Sequence, residues 1–228
     1  MTWAILAFPL TLLGCYLYWR YVWFFRNPPR VPPPGENIVS PADGTVVYVS
    51  LAKPGEEVIS IKQGVQAKVE DILREDLDCS KVHIGIFMSP FSVHYNRVPL
   101  SGRVEFIKHH PAIYKNYHMR PMHWRTLLRR LPLYQNSLHI VENERTVTKV
   151  KGEFQGEPLP YYVIQIAGKS VRGIDSYTRA GAAVKKGAVF GMIRIGSKVD
   201  LVMAYKPGMN ILAQPGDRVR AGETILIS

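Results

Sequence analysis

The sequence predicts a mainly β fold, a hybrid barrel or sandwich of short strands, and two observations lead to it. Eight runs rich in β-branched and aromatic residues occur along the chain: TVVYVS, EVISI, KVHIGIFM, GRVEFI, YYVIQIAG, AVFGMIRIG, DLVMAY and TILIS. The 17 prolines and 18 glycines separate these runs in turn-like stretches such as SPADG, KPGEE and QPGD. A hydrophobic fraction of 46% in 228 residues is sufficient for a packed core.

An internal repeat near the C-terminus supports the β prediction. The segments RAGAAVKKGAVFGMI and QPGDRVRAGETILIS align at an offset of 35 residues, and the first matched glycines are Gly181 and Gly216. Each copy has the order turn, short strand, turn, strand. The pattern resembles the glycine-punctuated hairpins of lipoyl, biotinyl and related hybrid-barrel domains, so we expect internal hairpin repeats.

Residues 1–26 predict a membrane-anchoring apolar helix. Up to Phe25 the only charged residue is Arg20, and a rise of about 1.5 Å per residue brings the segment close to a hydrocarbon core of roughly 30 Å. Arg26 and Arg30 follow the apolar run, which argues against a cleaved signal peptide and places the main domain on the cytoplasmic side of the cell membrane. Whether the helix spans the bilayer or lies in it stays open, and a buried N-terminal helix is the alternative.

A proline-rich connector, residues 27–37, joins this helix to a domain predicted over residues 38–228. Closely spaced prolines favour an extended backbone. The only cysteines are Cys15 and Cys79, so no disulfide framework is predicted and a reducing compartment is expected.

The net charge of +11 and the pI near 9.7 favour an anionic partner. The insert 108–140 holds no acidic residue, and its basic side chains include Lys108, Lys115, Arg120, Arg125, Arg129 and Arg130. Four apolar residues fall at helical spacing opposite three of the arginines: Trp124, Leu127, Leu128 and Leu131. This pattern predicts a basic amphipathic helix suited to an anionic membrane surface, with an ordinary solvated helix as the alternative. No nucleic acid is expected, because no binding motif accompanies the charge.

A glycine and a serine interrupt the alternating apolar and charged pattern of RIGSKVD, residues 194–200. Glycine weakens the interior of a strand and usually marks a bulge there. A chemical explanation is intramolecular attack, because Ser197 Oγ can reach the carbonyl carbon of Gly196 through a five-membered ring. Gly196 has no side chain, so its backbone can twist and its carbonyl is accessible. An ester would then replace the amide.

Three strings together resemble the short, single-domain form of phosphatidylserine decarboxylase. They are SPADG at 40–44, FMSPFSVHYNRVP at 87–99 and RIGSKVD at 194–200. FFRNPPR and PGDRVRAGETILIS extend the resemblance over most of the chain outside the insert.

The resemblance implies a zymogen that cuts itself between Gly196 and Ser197 and converts Ser197 into a covalent pyruvoyl cofactor. The β chain would end at residue 196, and the α chain, 197–228, would stay with it as a heterodimer, with further dimerisation left open. The implied activity is a lyase of phospholipid biosynthesis that converts phosphatidylserine to phosphatidylethanolamine. The ketone forms a Schiff base with the serine amine and accepts the electron pair left when carbon dioxide departs.

The resemblance also assigns roles to side chains. His94 is the expected proton donor or acceptor in decarboxylation, and Asp43 is the acid that orients a base for cleavage, although Asp-Gly is also a common turn. Longer family members carry a second histidine where this chain has Arg97, and arginine is no base at ordinary pH. We therefore expect His94 to serve in cleavage as well. Arg97 and Asn96 are predicted to bind substrate, with structural ion pairing an equal explanation for Arg97.

Other function classes fit the residues less well. A membrane-tethered hybrid-barrel carrier domain is the alternative, with Lys185 or Lys186 as the modified residue. A cell-wall peptidase would require zinc, yet no HExxH, HxH or CxxC spacing occurs, and no metal site is predicted. A pyruvoyl decarboxylase for a free amino acid would not need the apolar and basic membrane features.

Overall fold

A curled sheet of eight strands forms the centre of this computed structural model, which describes residues 2–62, 65–68, 72, 79–169, 173–194 and 197–228. The strands are β1 (Ile38–Val39), β2 (Gly44–Ala52), β3 (Glu57–Lys62), β4 (Val65–Lys68), β5 (Lys81–Met88), β6 (Tyr95–Arg97), β7 (Gly102–His110), β8 (Arg145–Phe154), β9 (Glu157–Ala167), β10 (Ile174–Ser176), β11 (Ala183–Val184), β12 (Val189–Ile193), β13 (Ser197–Ala204), β14 (Arg218–Val219) and β15 (Ile225–Ile227). The helices are α1 (Thr2–Tyr18), which continues as a π-helical turn over Trp19–Trp23, α2 (Arg120–Leu127) and α3 (His139–Glu142).

The large sheet has the strand order β11-β7-β8-β9-β13-β5-β2-β14, and its neighbouring strands are antiparallel. Three smaller sheets have the orders β10-β12-β6, β1-β15 and β3-β4. The mainly β prediction is confirmed, and each of the eight predicted runs contains a strand. The strand β8 was not predicted from the sequence, although it lies between β7 and β9 in the sheet and pairs with both.

The predicted repeat corresponds to two equivalent strand pairs. Its first strands, β11 and β14, form the two opposite edges of the large sheet, and its second strands, β12 and β15, each pair in a smaller sheet. Gly181 and Gly216 open the two copies with φ of 82° and 102°, a conformation that glycine adopts without strain. Each copy of the repeat therefore supplies one edge strand of the large sheet.

The two faces of the large sheet carry separate cores because side chains alternate along each strand. One face, here called the serine face, carries Ser197 together with apolar side chains such as Ile86 and Val199. The other, the insert face, is covered by the segment containing α2 and α3, and Phe87 and Val202 are among its buried residues. Neighbouring positions on β13 therefore face different surroundings.

The basic insert forms a shorter helix than the sequence predicted. The helix α2 ends at Leu127, and Arg129 adopts a φ of 52°, so Leu131 lies outside the helix. Met122 is the buried side chain of α2, whereas Trp124 and Leu127 are 57% and 60% exposed. The apolar side of the predicted helix is consequently turned away from the domain core.

The N-terminal segment and connector contact the domain closely. Within the residues given above, no helix combines the length and mean hydropathy needed to cross a membrane. After the π-helical turn, Arg30 of the connector forms ion pairs with Asp43 at 2.9 Å and Glu223 at 2.7 Å. A Cβ on Gly187 would lie 2.1 Å from Pro32 Cγ, so this glycine permits close packing of the connector. The domain bounds 1–26, 27–37 and 38–228 stay predictions.

Candidate active site

Ser197 is the first residue of β13, and neighbouring strands hold it on both sides. It pairs with Met88 of β5 and Ala167 of β9, and its side chain is fully buried on the serine face. Ser197 Oγ donates to Met88 Sδ at 3.4 Å. A thioether is a weak acceptor, so the hydroxyl has no strong hydrogen bond to give up before reacting. Gly196, the other half of the predicted cleavage site, lies outside the described residues.

Asn96 approaches the same sulfur atom from β6. Its Nδ2 lies 3.7 Å from Met88 Sδ, and Gln165 Nε2 donates to Asn96 Oδ1 at 2.8 Å. Both amide side chains are fully buried. Gln165 therefore fixes the direction of the Asn96 amide, whose N–H groups have only a weak acceptor at the sulfur. Asn96 was predicted as a substrate-binding residue, and that role stays a prediction.

His94 immediately precedes β6 and is fully buried. Its ring lies 4.2 Å from the Phe24 ring, centre to centre, and neither ring nitrogen has a hydrogen-bond partner within the described parts of the chain. Burial lowers the pKa of His94 to about 4, against a smaller opposing effect of the Ser92 main chain. The imidazole is therefore neutral at pH 7, as a proton acceptor must be. Its carbonyl accepts from Ile193 N at 3.3 Å, four residues before Ser197.

Asp43 lies beside the connector. Its two oxygens accept from Arg30 Nη2 at 2.9 Å and from the Ala221 N–H at 2.7 Å. Burial raises the pKa of Asp43, while the Ala221 N–H and Arg30 act in the opposite direction. No imidazole is among its hydrogen-bond partners in the described regions, so the base-orienting role of Asp43 stays a prediction.

Arg97 connects three segments of the chain through hydrogen bonds. Its guanidinium donates to Asn27 Oδ1 at 2.6 Å, to Pro28 O at 3.1 Å and to Gly187 O at 2.9 Å. These bonds join the connector to the first hairpin repeat. The predicted binding of substrate by Arg97 stays a prediction, and the geometry favours the alternative of a structural tie.

The chain as a whole matches a known protein family. The family model described as phosphatidylserine decarboxylase matches residues 17–227, which is nearly the whole chain. The chain belongs to the phosphatidylserine decarboxylase family. The matched span includes the Phe24 that covers His94, the connector and both repeats.

Relatives within the phosphatidylserine decarboxylase family come from archaea and bacteria. The chain is 36% identical over 211 residues to the putative archaetidylserine decarboxylase proenzyme of Methanopyrus kandleri, covering 90% of this chain and 79% of that protein. It is 33% identical over 221 residues to the phosphatidylserine decarboxylase proenzyme of Xanthobacter autotrophicus, covering 95% and 78%. It is also 33% identical over 215 residues to the putative archaetidylserine decarboxylase proenzyme of Methanocaldococcus jannaschii, covering 93% and 91%.

Sequence analysis of this decarboxylase family member missed two residues of the site. Gln165 had a usable signal, because it is the polar residue inside the apolar run YYVIQIAG. Phe24 lies in FFRNPPR, a string that carries the family resemblance, but nothing in that string indicates that its ring packs on His94.

The stacking of Phe24 on His94 generates a prediction. Phe24→Ala admits water to the imidazole and should raise the His94 pKa from about 4 towards the ordinary value of 6.5. NMR titration of the histidine ring signals, with the His94 signal assigned from a His94→Gln spectrum, measures this change. Phe25→Ala is the matched control, because Phe25 contacts Phe24 at 5.3 Å between ring centres. Equal His94 pKa values in the wild type and Phe24→Ala would contradict the stacking account.

Proposed function

We propose that the chain is a self-processing, pyruvoyl-dependent decarboxylase that converts phosphatidylserine to phosphatidylethanolamine. Its backbone is cut between Gly196 and Ser197, and Ser197 becomes the pyruvoyl group. The observation that carries the proposal is the fully buried Ser197 at the start of β13, within a chain that matches this family over residues 17–227. The relatives' designation as proenzymes supports a processing step.

The processing chemistry is an acyl shift followed by elimination. Ser197 Oγ bonds to the Gly196 carbonyl carbon, its proton passes through a base to the Ser197 nitrogen, and the C–N bond breaks. Loss of the Ser197 Cα proton then breaks the Cβ–Oγ bond, and Gly196 departs as a carboxylate with the electron pair. The resulting enamine moves a proton from its nitrogen to Cβ, which gives a methyl group and a C=N bond. Water then adds to Cα, ammonia leaves, and a ketone remains.

The surroundings of Ser197 fit a small neutral ketone. The residues paired with Ser197 are Met88 and Ala167, both fully buried, and its side-chain hydrogen bond goes to the uncharged Met88 Sδ. The Asn96 amide, held by Gln165, provides a hydrogen-bond donor whose present acceptor is a sulfur. A pyruvoyl group here would supply a carbonyl that captures the substrate amine and accepts the electron pair of decarboxylation.

His94 is proposed as the proton carrier of the site. Its neutral form can accept the Ser197 proton during cleavage, and the resulting imidazolium can return a proton to carbon after carbon dioxide departs. The hydrophobic cover of Phe24 excludes water from the ring, so a proton held there is not readily exchanged with solvent. If His94 serves in both steps, a second histidine at position 97 is not required, which is consistent with the arginine found there.

The apolar N-terminal segment and the insert are proposed to bind an anionic membrane from the cytoplasmic side. Trp19 of the π-helical turn lies 6.2 Å from Phe91, ring centre to ring centre, and Phe91 is 65% exposed. On the other side of β5, His123 of α2 lies 6.0 Å from Phe87. Trp124, next to His123 on α2, is 57% exposed. Exposed aromatic side chains therefore lie near Phe91 and near Phe87, close to the end of β5 that pairs with Ser197. Arginines in the insert suit anionic headgroups.

Arg20 is the proposed contact to the lipid phosphate. Its Nη1 is buried and has no hydrogen-bond partner among the described residues, and its Cζ lies 5.7 Å from the centre of the Phe24 ring. A buried guanidinium N–H without an acceptor is costly, and a phosphodiester oxygen would satisfy it. A phosphate bound by Arg20 would place the lipid headgroup beside Phe24, whose ring packs on His94.

A first prediction concerns the processing serine. Ser197→Ala has no nucleophile, so it should remain a single chain and release no carbon dioxide from phosphatidylserine in mixed micelles. Ser50→Ala is the control, because Ser50 is a second serine on a strand of the sheet, and its buried Oγ has no hydrogen-bond partner among the described residues. The assay includes an ether-linked isoprenoid lipid with the same serine headgroup, as the names of the archaeal relatives suggest, and free serine. Cleavage and activity in Ser197→Ala, or an intact wild type with a modified Lys185 or Lys186, would refute the proposal.

A second prediction concerns Arg20. Arg20→Gln should raise the KM for phosphatidylserine about tenfold and leave kcat unchanged, because one charge-assisted hydrogen bond to bound lipid is lost. Arg103→Gln is the control, since Arg103 donates to Gly181 O within the first repeat. An unchanged KM in Arg20→Gln would exclude this residue from headgroup binding.

A third prediction concerns the insert. Trp124→Ser combined with Leu127→Ser should reduce co-sedimentation with vesicles that contain phosphatidylserine, because both side chains are more than half exposed on α2. The substitutions leave the buried Met122 in place, so the fold should be retained. Unreduced vesicle binding by the correctly folded double variant would show that the insert does not contact the membrane.

A further inference from the structure

A cluster of buried ionisable side chains lies directly behind Ser197, on the insert face of the sheet. Lys198 is fully buried, and its ammonium contacts Asp200 Oδ1 and the Tyr48 hydroxyl. Tyr48 in turn donates to Asp200 Oδ2 at 2.8 Å, and His83 Nε2 lies 3.2 Å from the same oxygen. Three adjacent strands, β13, β5 and β2, therefore meet in this cluster.

Lys198 and Asp200 both keep their charges although they are buried. Burial lowers the pKa of Lys198 to about 8, with Asp200 opposing the shift, so the amine is still mostly protonated at pH 7. Burial alone would raise the pKa of Asp200, but Lys198 and His83 hold it below its ordinary value. The cluster is thus an ion pair with a hydrogen-bonding tyrosine and a histidine.

Stability is a poor explanation for such a cluster. The cost of removing two charges from water often cancels their attraction, and apolar side chains of similar volume frequently serve as well. The surrounding insert face offers apolar neighbours such as Phe87 and Val202. A buried ion pair is better suited to fixing a unique register, because it can be satisfied in one alignment alone.

The register of β13 is indeed weakly defined by its apolar residues. On the serine face Val199, Leu201 and Met203 follow one another at every second position, so a slip by two residues would still bury apolar side chains. The same slip would put one of Lys198 and Asp200 in the place of the other and move its partner out of reach of Tyr48, so the three-way contact would be lost. Tyr48 itself has little freedom, because its ring lies where a Cβ on Gly85 would be, 2.4 Å from the ring carbon Cζ.

Cleavage makes this register vulnerable. Once the bond before Ser197 is cut, β13 begins with the reacting residue, and chain ends without a covalent connection fray readily. We propose that Lys198 is a positioning residue that holds the first residue of the new chain in register with β5 and β9 after cleavage. The inference rests on the proposed self-processing, and it assigns a role to the cluster in keeping the pyruvoyl carbonyl at the site.

The test compares the cluster variant in cleaved and uncleaved protein. Lys198→Met with Asp200→Asn removes both charges, while the new amide can still accept from Tyr48. Hydrogen exchange of the β13 amides should be at least about tenfold faster in the cleaved double variant than in the cleaved wild type. In the Ser197→Ala background, where the chain is continuous, the same two substitutions should leave exchange unchanged. The cleaved variant should also lose kcat for phosphatidylserine about tenfold at an unchanged KM.

Controls separate this inference from a general loss of stability. Lys149→Met with Glu105→Gln removes another lysine–carboxylate ion pair, which joins β8 to β7 with Nζ 3.5 Å from Oε1. This double variant should leave the hydrogen exchange of β13 and kcat unchanged. Tyr48→Phe is a milder second variant that keeps the ring against Gly85, and it should accelerate exchange in cleaved protein alone.

Two outcomes would overturn the inference by itself: equal acceleration in cleaved and uncleaved protein, or unchanged exchange and kcat in the cleaved variants. A wild-type chain that remains in one piece by mass would instead overturn the proposed function, and this inference with it.

Discussion

The pairing of β13 on both sides is the constraint on which the site depends. Hydrogen bonds to β5 and β9 place Ser197 opposite Met88 and Ala167, at the end of a strand with no solvent-exposed face. Because side chains alternate along a strand, this pairing turns Ser197 towards one core and Lys198 towards the other. The same register therefore determines the positions of Ser197, the proposed reacting residue, and of Lys198, its proposed positioning residue.

The N-terminal segment belongs to the site as well as to the proposed membrane surface. Phe24 covers His94, and the connector that follows is held by Arg30 on Asp43 and by Arg97 on Asn27. These contacts join an exposed apolar helix to the buried imidazole over a short stretch of chain. Under the proposed function, a lipid headgroup that reaches His94 would have to displace or pass Phe24, so this segment is the proposed entry for the substrate.

Local pattern was enough to predict much of the fold. The apolar and β-branched runs predicted their strands, and the glycine spacing predicted the paired repeats. The pattern failed at β8, where RTVTKVKGEF contains alternating charges and reads as an exposed segment, although its strand pairs on both sides. It also failed at the end of α2, because Leu131 continues the helical spacing beyond the last helical residue.

The parts of the site that escaped prediction are those made by distant segments. Nothing near Phe24 in the sequence indicates His94, and nothing near Asp43 indicates that its oxygens bond Arg30 and the Ala221 N–H. The Lys198 cluster gave a weak sign, since two charges alternate with apolar residues in a strand, but that pattern is also typical of a solvent-exposed face. The strand β13 is buried on both faces because the insert covers one of them, and the local sequence does not indicate that cover.

The most direct test of the central claim is the mass of the fragment 197–228 from purified, active wild-type enzyme. The account predicts two chains, with this fragment lighter by one ammonia than a peptide that begins with serine, and with a carbonyl that reacts with a hydrazide. An active enzyme whose backbone is continuous through Ser197, or whose fragment begins with an unmodified serine, would contradict it.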